Sequence, residues 1–243
     1  MSGRNMLEKP IYFNELDMKE LEKEKDSIII LPIGISEGHG KHLPVGTDTY
    51  QAEYVVEEVA KRLDGRSIIA PILNYGTCKA TEHLYGTLSI RFDTLRDIAY
   101  DILTSLTDQG FENIVIISGH SGKSHMMALR LAAEDILEKT DVDILLLSGY
   151  DFAYELKGDK VSEMDGHGGE IETARIMDIR PDLVREDRPR NEVKHPEFKV
   201  ISDYGGHWPE GMRGNADEAS KEEGEEINEY VIKKIIRVIE DSF

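Results

Sequence analysis

"SIIILPIG" (residues 27–34) is an unbroken apolar run rich in β-branched side chains. A strand with one wet face alternates apolar and polar residues, so a run without a polar break reads as a strand covered on both sides. Three more segments have the same character: "SIIAPIL" (67–73), "ENIVIISG" (112–119) and "VDILLLSGY" (142–150). Helical patterns lie between and after them. "TYQAEYVVEEVAKRL" (49–63) gathers Ala52, Val55, Val56, Val59, Ala60 and Leu63 on one side. "DTLRDIAYDILTSLTDQG" (93–110) stops at Gly110, a suitable residue just past a helix end. "SHMMALRLAAEDILEK" (124–139), "GEIETARIMDI" (169–179, ended by Pro181) and a long helix over 217–241 complete the series. Strands alternating with crossover helices predict an α/β protein: a three-layer α/β/α sandwich around a mostly parallel central sheet.

Residues 183–215 show no period, and loops of that length usually serve function or an interface. No repeat, low-complexity segment or linker divides the chain, so residues 1–243 read as a single domain. The formal charge of −19, from 29 basic and 48 acidic residues, argues against a nucleic-acid partner, whose phosphates would be repelled. No window holds eighteen apolar residues, so no membrane partner is expected, and the N-terminal stretch lacks the apolar centre of a secretory signal. A single cysteine, Cys78, excludes an internal disulfide framework. A cytoplasmic location is the expectation.

Chemistry collects where strands end. "SEGHGKHLPVGTDTY" (36–50) follows the first strand with Glu37, His39, His42 and Asp48. His120 follows the third strand in "ISGHSG", and His167 follows the fourth at a distance, in "MDGHGGEIET". In open α/β sheets, ligands sit beyond the carboxyl ends of the strands, so these groups converge on one edge. Glu37 and His39, two apart in an extended segment, point the same way. Asp48, at the start of a helix, is placed to bridge two cations with its two oxygens. Imidazole and carboxylate donors together suit Zn²⁺, Mn²⁺ or Fe²⁺, and a close pair of such ions is an arrangement for hydrolysing an amide.

Each residue also has a plainer reading. Asp48 by itself could cap its helix. His42 alone reads as structural or solvent-exposed, and His120 as a satisfied buried histidine in a strand-to-helix turn. Cys78 reads as a small packing residue in a loop. The turn "GHSGKS" (119–124) is not a phosphate loop, because position 117 is Ile where the first glycine is needed. No G-x-S-x-G elbow is present.

These residues bring a known family into view. "LPIGISEGHGKHLPVGTDTYQAEYVVEEVA" (31–60) resembles the opening signature of the creatininase (creatinine amidohydrolase) family, E-x-H-G-x-H-L-P-x-x-T-D. "YGTCKATEHLYGTLSI" (75–90), "GFENIVIISGHSGKS" (110–124), "GHGGEIETA" (166–174) and "GMRGNADEASKEEGEEI" (211–227) are similar, in order, to its later elements. The resemblance covers roughly residues 27 to 230.

It implies a metal-dependent amidohydrolase with two divalent ions. Glu37, His39, Asp48 and His120 fall on ligand positions, with Asp48 as the bridge. Creatininase itself has a further glutamate ligand two residues beyond that histidine, where this chain has Gly122. Glu172 is the expected replacement, with Glu170 on the same helical turn as its rival. His167 falls on a position set against the substrate, where it could pass a proton to the leaving nitrogen. Glu163 stands where creatininase has a tryptophan that closes over its ligand; the single tryptophan, Trp208, lies elsewhere in the chain. The implied substrate is a small-molecule amide, either cyclic or a formamide. Relatives act on a formamide in flavin and deazaflavin biosynthesis or trim a peptide, and a phosphorylated formamide would call for cations such as Lys123 and Arg213. The other alternative is a non-catalytic metal- or ligand-binding descendant. The resemblance also implies a closed homo-oligomer, possibly a hexamer, with apolar residues of 183–215 at its interface.

Overall fold

β2 (Ile28–Ile33) is buried at all six positions, as its apolar run requires. The computed structural model, which describes residues 9–157, 160–193 and 198–243, places it at the centre of a five-stranded sheet. Beside it run β1 (Ile11–Tyr12), β3 (Ser67–Ile69), β4 (Asn113–Ser118) and β5 (Asp143–Ser148). The order is β1-β3-β2-β4-β5, and every pairing is parallel.

Alternation along β2 divides the core in two. Ile28 and Ile30 pack with Val55, Val56 and Val59 of α2 (Thr47–Arg62), Ile171 of α6 (Glu170–Ile179), and Val231 and Ile235 of α8 (Lys221–Ser242). Ile29, Leu31 and Ile33 face the other way, against Leu95 and Leu103 of α3 (Phe92–Asp108) and Leu129 and Ala132 of α4 (Lys123–Leu137). The result is the three-layer α/β/α sandwich. Each such buried isoleucine or leucine contributes about 1.5–3 kcal/mol of transfer free energy, so the apolar face of each helix is fixed by the sheet it covers.

Several boundaries differ from the sequence reading. The second strand ends at Ile69 because Pro71 has no N–H to give the ladder; the chain rejoins the sheet at a bridge between Leu73 and Ile33. The fourth strand stops at Ser148, and Gly149–Lys157 form a helix, α5, that the sequence does not announce. The final helix begins at Lys221 rather than 217, capped by the Ser220 hydroxyl. β1 and the single turn α1 (Met18–Leu21), with its Asp17–Glu20 capping box, also went unread. Within 183–215, β6 (Arg190–Asn191) pairs antiparallel with β7 (Gly214–Asn215), and a short turn, α7 (Tyr204–His207), lies between them. Residues 194–197 of that region lie outside the described residues. Among the described residues, no helix is long and apolar enough to cross a membrane.

Candidate metal centre

The sheet order sets the place. From β2 the chain crosses to β3 on one side, and from β4 it crosses to β5 on the other, so the loops after β2 and β4 part and leave a crevice. Glu37 and His39 come from the first loop and His120 from the second. Asp48 stands in the first turn of α2, inside the helix rather than at its cap, which is Gly46. Glu172 rises from the first turn of α6. The backbone at the crossing is tight: a Cβ on Gly119 would come within 1.9 Å of the Asp48 carbonyl oxygen, so only glycine permits it.

Asp48 divides its carboxylate between two groups of donors. Oδ1 is 3.2 Å from His39 Nε2, which is itself 3.5 Å from Glu172 Oε1. Oδ2 is 3.3 Å from His120 Nδ1, which is 3.0 Å from Glu37 Oε2. Glu37, His39 and Asp48 are at most 1 % exposed. Donor atoms of His39, Asp48 and Glu172 lie within 4.8 Å of one another; so do those of Glu37, Cys78 and His120, and those of Glu37, His39 and His167.

Surrounding groups fix how these side chains present themselves. Nδ1 of His39 meets the Glu37 carbonyl at 2.9 Å, which assigns the ring proton to Nδ1 and turns Nε2 toward the carboxylates. Glu172 accepts from the Gly168 N–H at 2.6 Å, from Gln51 Nε2 at 3.2 Å and from the Tyr150 hydroxyl. Oε1 of Glu37 accepts from the Thr81 hydroxyl at 2.6 Å and from the Cys78 thiol at 2.6 Å. Nε2 of His167 donates to the Gly38 carbonyl at 2.8 Å, and its ring lies 4.0 Å from that of His39.

Three buried carboxylates set the electrostatics. Burial opposes ionisation of Glu37, but the neighbouring charges of His167, His120 and His39 outweigh it and hold the carboxyl well below its ordinary value. Glu172 is held low in the same way, against its burial, chiefly by His39. Burial equally opposes charging of the imidazoles. The charges of Glu172 and Asp48 nevertheless raise His39 well above its usual value, and that of Glu37 does the same for His120. The cluster demands positive charge. Glu37 Oε2, Asp48 Oδ2 and His120 Nε2 are also buried without hydrogen bonds, although His120 Nδ1 stands close to both oxygens. Buried charged oxygens left in this way are costly, and the donor set of oxygen and imidazole nitrogen fits a divalent cation.

The structure gathers Glu37, His39, Asp48, His120, Glu172 and His167 around one crevice. Glu170 lies apart from it: burial and the charges of Glu223, Asp165 and Glu218 push its carboxyl up to about 7. Position 122 is glycine, and Glu172 is the acid that stands beside His39, with Oε1 3.5 Å from its Nε2. His42 has the plain structural role, with Nε2 2.9 Å from the Thr173 hydroxyl. Lys123 lines the crevice, whereas Arg213 does not; its Nη2 donates to the Asp165 carbonyl at 3.0 Å.

A family model described as Creatininase, creatinine amidohydrolase, matches residues 14–239. The chain belongs to the creatininase family. The creatinine amidohydrolase of Pseudomonas putida is 27% identical over 98% of this chain and 99% of its own. A mycofactocin precursor peptide peptidase of Mycobacterium ulcerans is 31% identical over 66% of this chain and 61% of its own. A 3-dehydro-scyllo-inosose hydrolase of Thermotoga maritima is 24% identical over 84% and 65%, respectively. A crystal structure of creatininase superposes with a TM-score of 0.84 at 26% identity, covering 96% of this chain and 98% of that one. Manganese and zinc–zinc forms of creatininase superpose comparably, with TM-scores of 0.83 and 0.82. These creatininase-family relatives are hydrolases.

Four further residues were missed: Tyr150 and Trp208 line the crevice, and Gln51 and Thr81 hydrogen-bond its carboxylates. Tyr150 sits just past β5, so the strand-end rule could have found it. Gln51 lies one turn along α2 from Asp48, on the same face. Thr81 has no periodic signal around it. Trp208, apart from the motifs in sequence, lines the crevice with its ring 5.3 Å from that of His167. Only the fold brings it there.

Proposed function

We propose that the protein is a metal-dependent amidohydrolase that cleaves a non-peptide C–N bond, in a cyclic amide or a formamide, of a small molecule. One observation carries the reading: the two oxygens of Asp48 face two separate sets of donors. His39 and Glu172 would hold one divalent ion, Glu37 and His120 the other, with Asp48 shared; Zn²⁺, Mn²⁺ and Fe²⁺ all accept such ligands. Bound there, the ions supply Lewis acidity, which polarises an amide carbonyl and acidifies water. The crevice of about 460 Å³ suits a small molecule. The Gly38 carbonyl keeps His167 Nε2 occupied and leaves Nδ1 as the ring atom that exchanges a proton with the leaving nitrogen. Trp208, packed against that ring, limits its movement and screens it from water.

Lys79 and Lys123 favour a second reading within the same chemistry. Both line the crevice, and neither has an ion-pair partner among the described residues. A formamide carrying phosphate, as in a nucleotide intermediate, would meet them. Formate release against ring opening separates the two substrates. The proposal extends to a cytoplasmic homo-oligomer, possibly a hexamer.

The test is metal analysis paired with hydrolysis assays on cyclic amides and formamides. Wild-type protein is expected to carry two ions per chain and to lose activity on chelation. Asp48→Asn should lose both ions and at least about a thousandfold in rate, since it removes a ligand from each. Undiminished hydrolysis by protein stripped of metal would overturn the proposal.

A further inference from the structure

Cys78 is 6 % exposed, lines the crevice and belongs to neither of the two apolar clusters that flank the sheet. Its thiol is 2.6 Å from Glu37 Oε1 and 2.9 Å from the Thr81 hydroxyl. Its backbone is pinned. The Cys78 N–H donates to Ser89 Oγ at 2.9 Å, and the chain just before it is bridged to that same serine through Gly76. The side chain is therefore delivered to one place.

That place already holds two donors in need of a partner. Glu37 Oε2 and Asp48 Oδ2, on side chains 1 % exposed, have no hydrogen bond, and both face Nδ1 of His120, at 3.0 and 3.3 Å. One donor atom each from Glu37, Cys78 and His120 falls within 4.8 Å of the other two, the spread expected of ligands around one ion. The opposite trio, His39, Asp48 and Glu172, offers only nitrogen and oxygen.

We propose that Cys78 ligates the ion on the Glu37 and His120 side, so that the two metal positions are chemically unequal. The inference rests on the two-ion reading above and deepens it. On binding, the S–H bond breaks, an S–metal bond forms and the proton leaves to solvent; no electrons change hands. Thiolate is a soft donor, and it biases its position toward Zn²⁺, Co²⁺ or Cd²⁺ over Mn²⁺. The all-nitrogen-and-oxygen position lacks that bias and accepts Mn²⁺. A mixed pair, with a thiophilic ion beside Glu37 and a harder one beside His39, is the expected resting composition.

Because Cys78 is the chain's single cysteine, any thiolate signal belongs to it. The intact protein is stripped, reloaded with Co²⁺ to two ions per chain and examined by absorption spectroscopy, with ¹¹³Cd resonance on a parallel sample. The expected result is a near-ultraviolet sulfur-to-cobalt charge-transfer band and one of two cadmium signals displaced toward thiolate ligation. Cys78→Ser should lose both features while still binding metal, with Zn²⁺ affinity at the altered position lowered about tenfold or more and Mn²⁺ affinity little changed. Two bound cobalt ions without a thiolate band in wild type would overturn the inference and leave the two-ion reading standing; the thiol would then only orient Glu37. Failure of wild type to bind cobalt at all would overturn both. The wild-type spectra decide the matter even if the serine variant does not fold.

Discussion

His42 shows how one residue type serves opposite ends three positions apart. His39 is drawn into charge by Glu172 and Asp48. Burial instead depresses His42 to about 4, and it stays neutral against the Thr173 hydroxyl. Below about pH 6.5 the unfolded chain binds a proton at His42 that the folded chain refuses until about pH 4. Stability from this residue is therefore complete above pH 6.5 and declines as pH falls through that window, by up to about 1.4 kcal/mol per pH unit. In His42→Gln, which keeps an amide donor for Thr173, denaturant unfolding between pH 7 and pH 4.5 should show a shallower acid decline than wild type; parallel curves would refute this. The contrast also marks what sequence could say. The E-x-H-G-x-H pattern exposed both histidines. Deciding which one faces carboxylates and which a threonine needed Thr173 and Glu172, more than 120 residues away, placed on successive positions of α6.

At the scale of elements, α6 links the site to the fold. It presents Glu172 on one side and is crossed closely by α8 on the other. Gly224 of α8 lies so near α6 that a Cβ there would stand 1.9 Å from the Ala174 carbonyl oxygen. Alanine in a helix interior usually gains about 0.5–1 kcal/mol over glycine; here the collision is with backbone, which cannot rotate away. Gly224→Ala is expected to destabilise the protein by about 1–3 kcal/mol, lowering Tm by on the order of 5 °C. An unchanged or raised Tm in scanning calorimetry would contradict it. Element existence was legible wherever periodicity ran long, as in α2, α3, α4 and β2. It failed where pairing alone makes the structure: β1 is two residues long and exists through its register with Ile68 and Ile69. It failed again at α5, which begins at Gly149 directly after β5 ends at Ser148, with no connecting residue between strand and helix.

The whole molecule carries a charge of −19, yet it exposes large apolar side chains: Tyr85 and Leu88 in the segment after Cys78, and Phe198 and Val200 in the long region before β7. Apolar side chains left in water on so acidic a surface support self-association, with the cost of like charge screened by salt. Light scattering is expected to find a homo-oligomer that tightens as ionic strength rises, and the double change Tyr85→Asp with Phe198→Asp should reduce it to smaller species. A wild-type monomer at micromolar concentration would exclude this.

The near-contact of Gly119 with the carbonyl of Asp48 has a consequence for loading. The turn after β4 abuts the first turn of α2, so Asp48, the proposed bridge, is carried on one rigid element held closely against another. Under the two-ion proposal its carboxylate would be oriented before any ion arrives, and little chain entropy would remain to be lost on binding. Metal, on that proposal, would be captured and released in a frame that keeps its shape throughout.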